Sequence, residues 1–291
     1  MSGYNIPRQI LISQLYSNQQ VHSTSAARMA IRLRSVITRC VTNGLLKSTD
    51  QILVSYLKLR LIRHAESIGN TQGRMEGQQS TALSEHGRAQ VRQLCDRLIH
   101  TDPQRPTHLY SSPLLRAKQT ALTIHQVLAQ AKRSCPVYYS AALQELHPGI
   151  FQGLTWAEAT QQYPTVCEQL MRSLQWQPVP EAESPSEARN RAQVWLSDLL
   201  NTHRPGDTVW AVSHAGLMIQ LISSILGSDR TWKLTIDHTA IFEFWLAQTD
   251  WHILTQDRFN PEYWILKHFN DTGHLEHPSN KTPADTHTEI E

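Results

Sequence analysis

The sequence predicts an α/β fold in which helices flank a mostly parallel central sheet. Three observations carry this expectation. Short apolar, strand-like runs recur along the chain, segments with apolar residues at helical spacing alternate with them, and several runs end abruptly in polar or ionisable residues. With 291 residues, 40% hydrophobic and 18% charged, the chain is long enough to bury a sizeable core.

The elements follow in order. Leu57–Ile62 concentrates Leu and Ile and reads as a strand, ending at Arg63-His64. "EHGRAQVRQLCDRLI", Glu85–Ile99, carries its apolar residues at helical spacing. "THLYSS" is a short strand closed by turn residues, and "PLLRAKQTALTIHQVLAQA" continues with good helix formers behind Pro113, suited to a first helical position. A short strand is expected at Val137–Tyr139, then an irregular stretch through Gly149 and Gly153, then helices around Trp156–Tyr163 and Ser186–His203. "DTVWAVSHAG" reads as a buried strand ending in polar residues, followed by the apolar helix "LMIQLISSIL". Late strands are expected at Ile241–Leu246 and around Trp251–Thr255. No internal repeat is visible, and the polar, Pro-containing end "EHPSNKTPADTHTEIE" (276–291) is expected to be a disordered tail.

Residues 1–55 stand apart. Met1–Thr49 has no Asp or Glu, while Arg8, Arg28, Arg32, Arg34, Arg39 and Lys47 give it +6, leaving –4 for the rest of a chain whose net charge is +2. "SAARMAIRLRSVITRCV" sets apolar residues among arginines at partly helical spacing, consistent with an organelle-targeting, membrane-surface or partner-docking helix; the alternative is a poorly ordered extension, with the natural start at Met29 or later. The expected organisation is a basic extension over 1–55, a catalytic domain over 56–275 and the tail.

Several function classes fall away. The balanced charge argues against nucleic acid, which needs a concentrated basic face. No apolar run reaches the roughly 18 residues of a membrane span, and the start lacks a secretory signal core, so a soluble, cytoplasmic protein is expected, with organelle targeting as the alternative. Cys40, Cys95, Cys135 and Cys167 are widely spaced without zinc-ligand neighbours, so neither a disulfide framework nor a metal cluster is expected. Homo-oligomerisation is left open.

Ligands of open α/β sheets gather outside the carboxyl ends of the strands. Three such ends carry chemistry here: Arg63-His64, Ser111-Ser112-Pro113 leading to Arg116, and Ser213-His214-Ala215-Gly216. Two guanidinium forks match phosphate oxygens and neutralise their charge. A neutral imidazole, with an ordinary pKa of about 6.5, is a competent nucleophile toward phosphorus. Phosphoryl transfer is mostly positioning and electrostatic stabilisation, so such a cage suits it, provided a carboxyl group supplies a proton to the leaving oxygen.

"LIRHAESIGN" resembles the Arg-His-Gly motif of the histidine phosphatase superfamily, with Ala65 where Gly is usual. "SSPLLRAKQTA", "LQELHPGIFQGLTWAE" and "VSHAG" are similar to its second-arginine, acid-bearing and second-histidine segments, all in the family's order over about Leu57 to Leu275. The resemblance implies the phosphoglycerate mutase-like three-layer sandwich and a phosphohistidine mechanism. It assigns His64 as nucleophile, Glu145 as general acid, and Arg63, Asn70, Arg116 and His214 around the phosphate of a small phosphorylated substrate, without cofactor. Glu76 stands where relatives often have Gln. Between Leu146 and Ala188 the only Lys or Arg is Arg172, against Glu158, Glu168, Glu181, Glu183 and Glu187, and the mutase pattern Gly-Leu-x-Gly-x-Asn-Lys is missing. The expectation is therefore a phosphatase, with mutase action or a non-catalytic phosphate-binding relative as alternatives. Trp156, Tyr163 and Trp176 are either substrate wall or packing, and His274 is expected to be a solvated tail residue, with an approach to the mouth of the pocket as the alternative.

Overall fold

In a computed structural model of the chain, the described residues are 55–100, 104–228, 230, 232–247 and 261–275, and all statements below concern these. The basic segment, the tail, Cys40 and the strand expected around Trp251–Thr255 lie outside them.

Six strands form one sheet: β1 (Tyr56–Arg63), β2 (His108–Ser111), β3 (Val137–Tyr139), β4 (Thr208–Ser213), β5 (Ile241–Ala247) and β6 (Trp264–Asp271). Their spatial order is β3-β2-β4-β1-β5-β6. The first four are mutually parallel, whereas β5 runs antiparallel to β1 and β6 antiparallel to β5. The helices are α1 (Ile68–Thr71), α2 (Glu85–His100), α3 (Leu115–Gln130), α4 (Trp156–Gln162), α5 (Pro164–Arg172), α6 (Pro185–Thr202) and α7 (Ala215–Ile225).

Strand alternation splits the core into two layers. Leu57, Leu59 and Leu61 of β1, with Val209 and Ala211 of β4, face α6 and α7, where Trp195, Leu196, Leu199, Leu217, Met218 and Leu221 pack on them. Ile62, Trp210 and Val212 point the other way, against Val91, Leu94 and Leu98 of α2 and Ala117, Ala121 and Ile124 of α3. Every residue of β4 is buried, as expected for a central parallel strand covered on both faces. Each fully buried Leu or Ile contributes about 1.5–3 kcal/mol. Arg60, directly across from Glu243 in the β1–β5 register, would disrupt this core were it unpaired; its Nη2 lies 2.5 Å from that carboxylate and its guanidinium stacks over Trp210. A satellite core of Phe151, Ala159 and Cys167 holds α4 and α5 over the loop containing Met75.

Three elements differ from the sequence expectation. Pro113 is not the first helical residue: α3 starts at Leu115, because Ser112 Oγ and Ser80 Oγ accept the N–H groups of Leu114 and Leu115 and turn the chain first. The α5 helix was not anticipated, since Pro164 reads as a stop after α4 but here occupies the first turn of a new helix. Nor was β6, a sheet-edge strand whose burial pattern lacks alternation and so leaves little period-2 signal. Cys95, Cys135 and Cys167 are buried free thiols.

Candidate active site

Adjacent strands β1, β4 and β2 deliver Arg63-His64, Ser213-His214 and Ser111-Ser112 to one edge of the sheet. His64 follows β1, is 2% exposed, and donates its backbone N–H to Ser213 O at 2.9 Å. Its Nδ1 lies 2.7 Å from Ala65 O, an atom that can only accept, so Nδ1 carries the proton and Nε2 keeps its lone pair. Arg116 Nε donates to that Nε2 at 3.2 Å. Burial, then His214, Arg116 and Arg63, hold the His64 pKa well below the ordinary imidazole value. The ring is neutral at physiological pH, with its lone pair on Nε2.

His214, fully buried at the start of α7, lies 4.8 Å from His64 between ring centroids. Its Nε2 meets Ser112 Oγ at 2.8 Å, and its Nδ1 is buried without a hydrogen-bond partner. Burial first, then Arg116 and Arg63, push its pKa well down too. Arg63 donates Nη1 to Ile236 O at 2.6 Å, while its Nε is likewise buried and unpartnered. Arg116, 1% exposed in the first turn of α3, is clamped by Gln79 O at 2.7 Å and Gly77 O at 2.8 Å. Burial lowers the pKa of both arginines, and both remain cations.

Glu145 is anchored at the amino end of α7. Its Oε1 accepts Leu146 N–H at 2.9 Å and Leu217 N–H at 3.1 Å, and its Oε2 accepts Gly216 N–H at 3.2 Å, satisfying donors that a helix start leaves open. A Cβ on Gly216 would stand 2.5 Å from Oε1, so only glycine permits this approach. Arg191 of α6 braces the segment from behind, donating to Ala142 O and Gln144 O while paired with Glu183.

Asn70 is third in α1, and its Oδ1 caps that helix by accepting Ser67 N–H. It also meets His238 Nε2 at 3.0 Å and donates Nδ2 to Glu76 Oε2 at 3.0 Å. Glu76, 5% exposed, is a hub: its carboxylate takes the hydroxyls of Ser67 and Thr81 and lies 3.6 Å from Arg116 Nε. Every predicted site residue thus reaches this edge, with Asn70 tied to Glu76.

Sequence reasoning did not single out His238, whose ring centroid is 5.7 Å from His64. An antiparallel strand brings its beginning to the edge where parallel strands bring their ends; β5 starts at Ile241, paired with Ile62, so the residues before it enter the site. Burial pushes the His238 pKa down to about 4. His274 is not a solvated tail residue: it is half-buried, its Nε2 2.8 Å from Thr239 Oγ1, with its pKa also pushed down to about 4 by burial. Tyr163 packs edge-on to Phe151, as does Trp156, which stays 44% exposed; Trp176 is exposed.

A family model described as the histidine phosphatase superfamily (branch 1) matches residues 59–258. A metal-independent phosphoserine phosphatase of Arabidopsis thaliana is 29% identical over 217 residues, 74% of this chain and 82% of the relative. A phosphoglycerate mutase-like protein of the same plant is 26% identical over 224 residues, 77% and 89% of the two chains. The solved structure of a mycobacterial glucosyl-3-phosphoglycerate phosphatase superposes with a TM-score of 0.57 at 24% identity, over 74% of this chain and 99% of that one.

Proposed function

The chain belongs to the histidine phosphatase superfamily, and from that membership we propose that it is a metal-independent phosphomonoester hydrolase acting on a small phosphorylated metabolite. The observation that carries the reading is the fixed tautomer of His64, with Nδ1–H on Ala65 O and a lone pair on Nε2 beside two guanidinium groups and a second imidazole. The relatives named as phosphatases support it.

In the proposed reaction, Arg63, Arg116 and His214 hold the phosphoryl oxygens, giving the unpartnered Arg63 Nε and His214 Nδ1 a ligand. His64 Nε2 attacks phosphorus in line. The P–O bond to the leaving group breaks with its electron pair on oxygen, and protonated Glu145 supplies the proton. The carboxylate so formed takes a proton from water, whose oxygen attacks phosphohistidine. The P–N bond breaks, His64 regains its lone pair, and inorganic phosphate leaves.

Hydrolysis is preferred over mutase action because Arg172, the one Lys or Arg between Leu146 and Ala188, is paired with Glu168, and Arg74 and Arg191 beside that segment are held by Glu158 and Glu183. A mutase needs free cations there to retain a substrate with a second anionic group. The mutase-like relative keeps phosphotransfer as the second reading. Purified full-length protein should release phosphate from an aryl phosphate in EDTA, and His64→Ala should abolish this. Turnover that requires metal or survives the substitution overturns the mechanism. Conversion of 3-phosphoglycerate to its 2-isomer without phosphate release overturns the choice of hydrolysis.

A further inference from the structure

A second cluster of chemistry-bearing side chains lies at the opposite ends of the central strands from His64. His108 opens β2, Asp207 immediately precedes β4, and His203 is the C-cap of α6. Each offers one ligand atom, and the three atoms lie within 4.8 Å of one another. We propose that His108, His203 and Asp207 form a binding site for a divalent cation of the zinc class, structural rather than catalytic.

The supporting hydrogen bonds prepare the nitrogens for this. Thr107 Oγ1 donates its proton to Thr208 O at 3.1 Å and accepts Thr208 N–H at 3.2 Å. Thr107 Oγ1 also meets His108 Nδ1, at 2.9 Å; in the Nδ1–H tautomer it accepts this contact and His108 Nε2 keeps its lone pair for the metal. His203 Nε2 meets the Tyr110 hydroxyl at 3.0 Å, an outer partner that accepts the ring N–H when the other nitrogen binds metal. That other nitrogen, Nδ1, stands 3.4 Å from Asp207 Oδ2. Tetrahedral zinc with bonds of about 2.0–2.1 Å spaces its ligand atoms about 3.3 Å apart, so these two need little movement. The remaining gap closes at His108, which is only partly buried, whereas His203 is 2% exposed and held in place. Two imidazoles and one carboxylate suit zinc, with water in the fourth position. Such an ion would tie the end of α6 to the starts of β2 and β4, the strands whose far ends carry Ser112 and His214. It would stabilise the fold without entering the chemistry.

The test uses full-length protein stripped with chelator, titrated with Zn²⁺ by calorimetry and with Co²⁺ by visible absorption. Wild type is compared with His108→Gln, Tyr110→Phe and Asp207→Asn, the last keeping an oxygen for Arg204 N–H. The proposal expects one equivalent in wild type that is absent from the His108 and Asp207 variants and weakened about 10–100-fold in Tyr110→Phe. Wild type should gain roughly 5 °C in Tm at hundredfold excess over its Kd, Tyr110→Phe less and the two ligand variants nothing, with aryl phosphate turnover the same in all proteins. Equal stoichiometry and affinity in wild type and both ligand variants would mean adventitious binding elsewhere, and no binding to wild type is equally fatal.

Discussion

Arg116 Nε donates to His64 Nε2 at 3.2 Å, so the proposed nucleophile and the guanidinium meant to hold its target are already in contact. The clamp from Gly77 O and Gln79 O fixes the fork at that position. Arg116→Lys replaces a planar fork with one point charge, losing both the clamp and the contact with Nε2. We expect kcat/KM to fall about 10²–10³-fold, the range for losing one preorganised donor. A loss below tenfold in steady-state assays would mean that charge alone, not geometry, is what Arg116 supplies.

Glu145 is assigned the leaving-group proton, so its removal should matter most where the leaving oxygen is most basic. Glu145→Gln should lower kcat/KM, which reports the steps through departure of the leaving group, by about 10²–10⁴ on an alkyl phosphate and far less on a nitrophenyl phosphate. The readout is the slope of rate against leaving-group pKa across a substrate series. An unchanged slope removes Glu145 from the acid role.

Gly216→Ala tests the placement of that carboxylate without touching it. The new Cβ would stand 2.5 Å from Glu145 Oε1. Displacement of about 1 Å should cost on the order of 10²-fold in kcat while circular dichroism stays that of wild type. A fully active variant shows that Glu145 need not sit against the start of α7.

The pKa shifts set two pH dependences. His64 must be neutral to attack, and burial with neighbouring cations holds it well below 6.5, so the acid limb of kcat/KM should lie below pH 6.5. Titration of the His64 ring by NMR with a midpoint at or above 6.5 contradicts this. For stability, His64, His214, His238 and His274 all have folded pKa values below the unfolded one, the last two at about 4. The unfolded chain therefore binds more protons in this window: stability is fully present above pH 6.5 and is lost progressively as the pH falls through about 4. His274→Gln should flatten that slope in Tm-against-pH measurements.

The buried pair Arg60–Glu243 tests the core. Glu243→Ala removes the carboxylate that takes Arg60, Gln104 and Trp245 and should destabilise by about 3–5 kcal/mol in denaturant unfolding. Replacing both partners with apolar residues should recover much of it. A single substitution costing under 1 kcal/mol would mean that Glu243 is not what compensates the buried Arg60 charge.

Much of the fold was legible because its signals are local. The strand Leu57–Ile62, the helix from Glu85 and the apolar run Val209–Val212 of β4 announce themselves by period and punctuation, and the chemistry at three strand ends follows from a parallel sheet. The elements that escaped have weak local signals. Pro164 reads as a stop yet opens α5, and the edge strand β6 alternates poorly. His238 escaped for a topological reason, since only the antiparallel direction of β5 brings its preceding residues to the site. The Glu76 hub likewise depends on how a loop folds back on α1 and α3.

The residue types and their order along the chain are local properties, and they specified a mostly parallel α/β sheet, the superfamily and, through the resemblance to it, the candidate set Arg63, His64, Asn70, Arg116, Glu145 and His214. The tertiary structure alone decided which imidazole nitrogen is free, what holds each guanidinium, and which backbone donors seat Glu145. Those depend on carbonyls and amides brought together from distant parts of the chain, and hydrogen bonding acts only across a few ångströms of space.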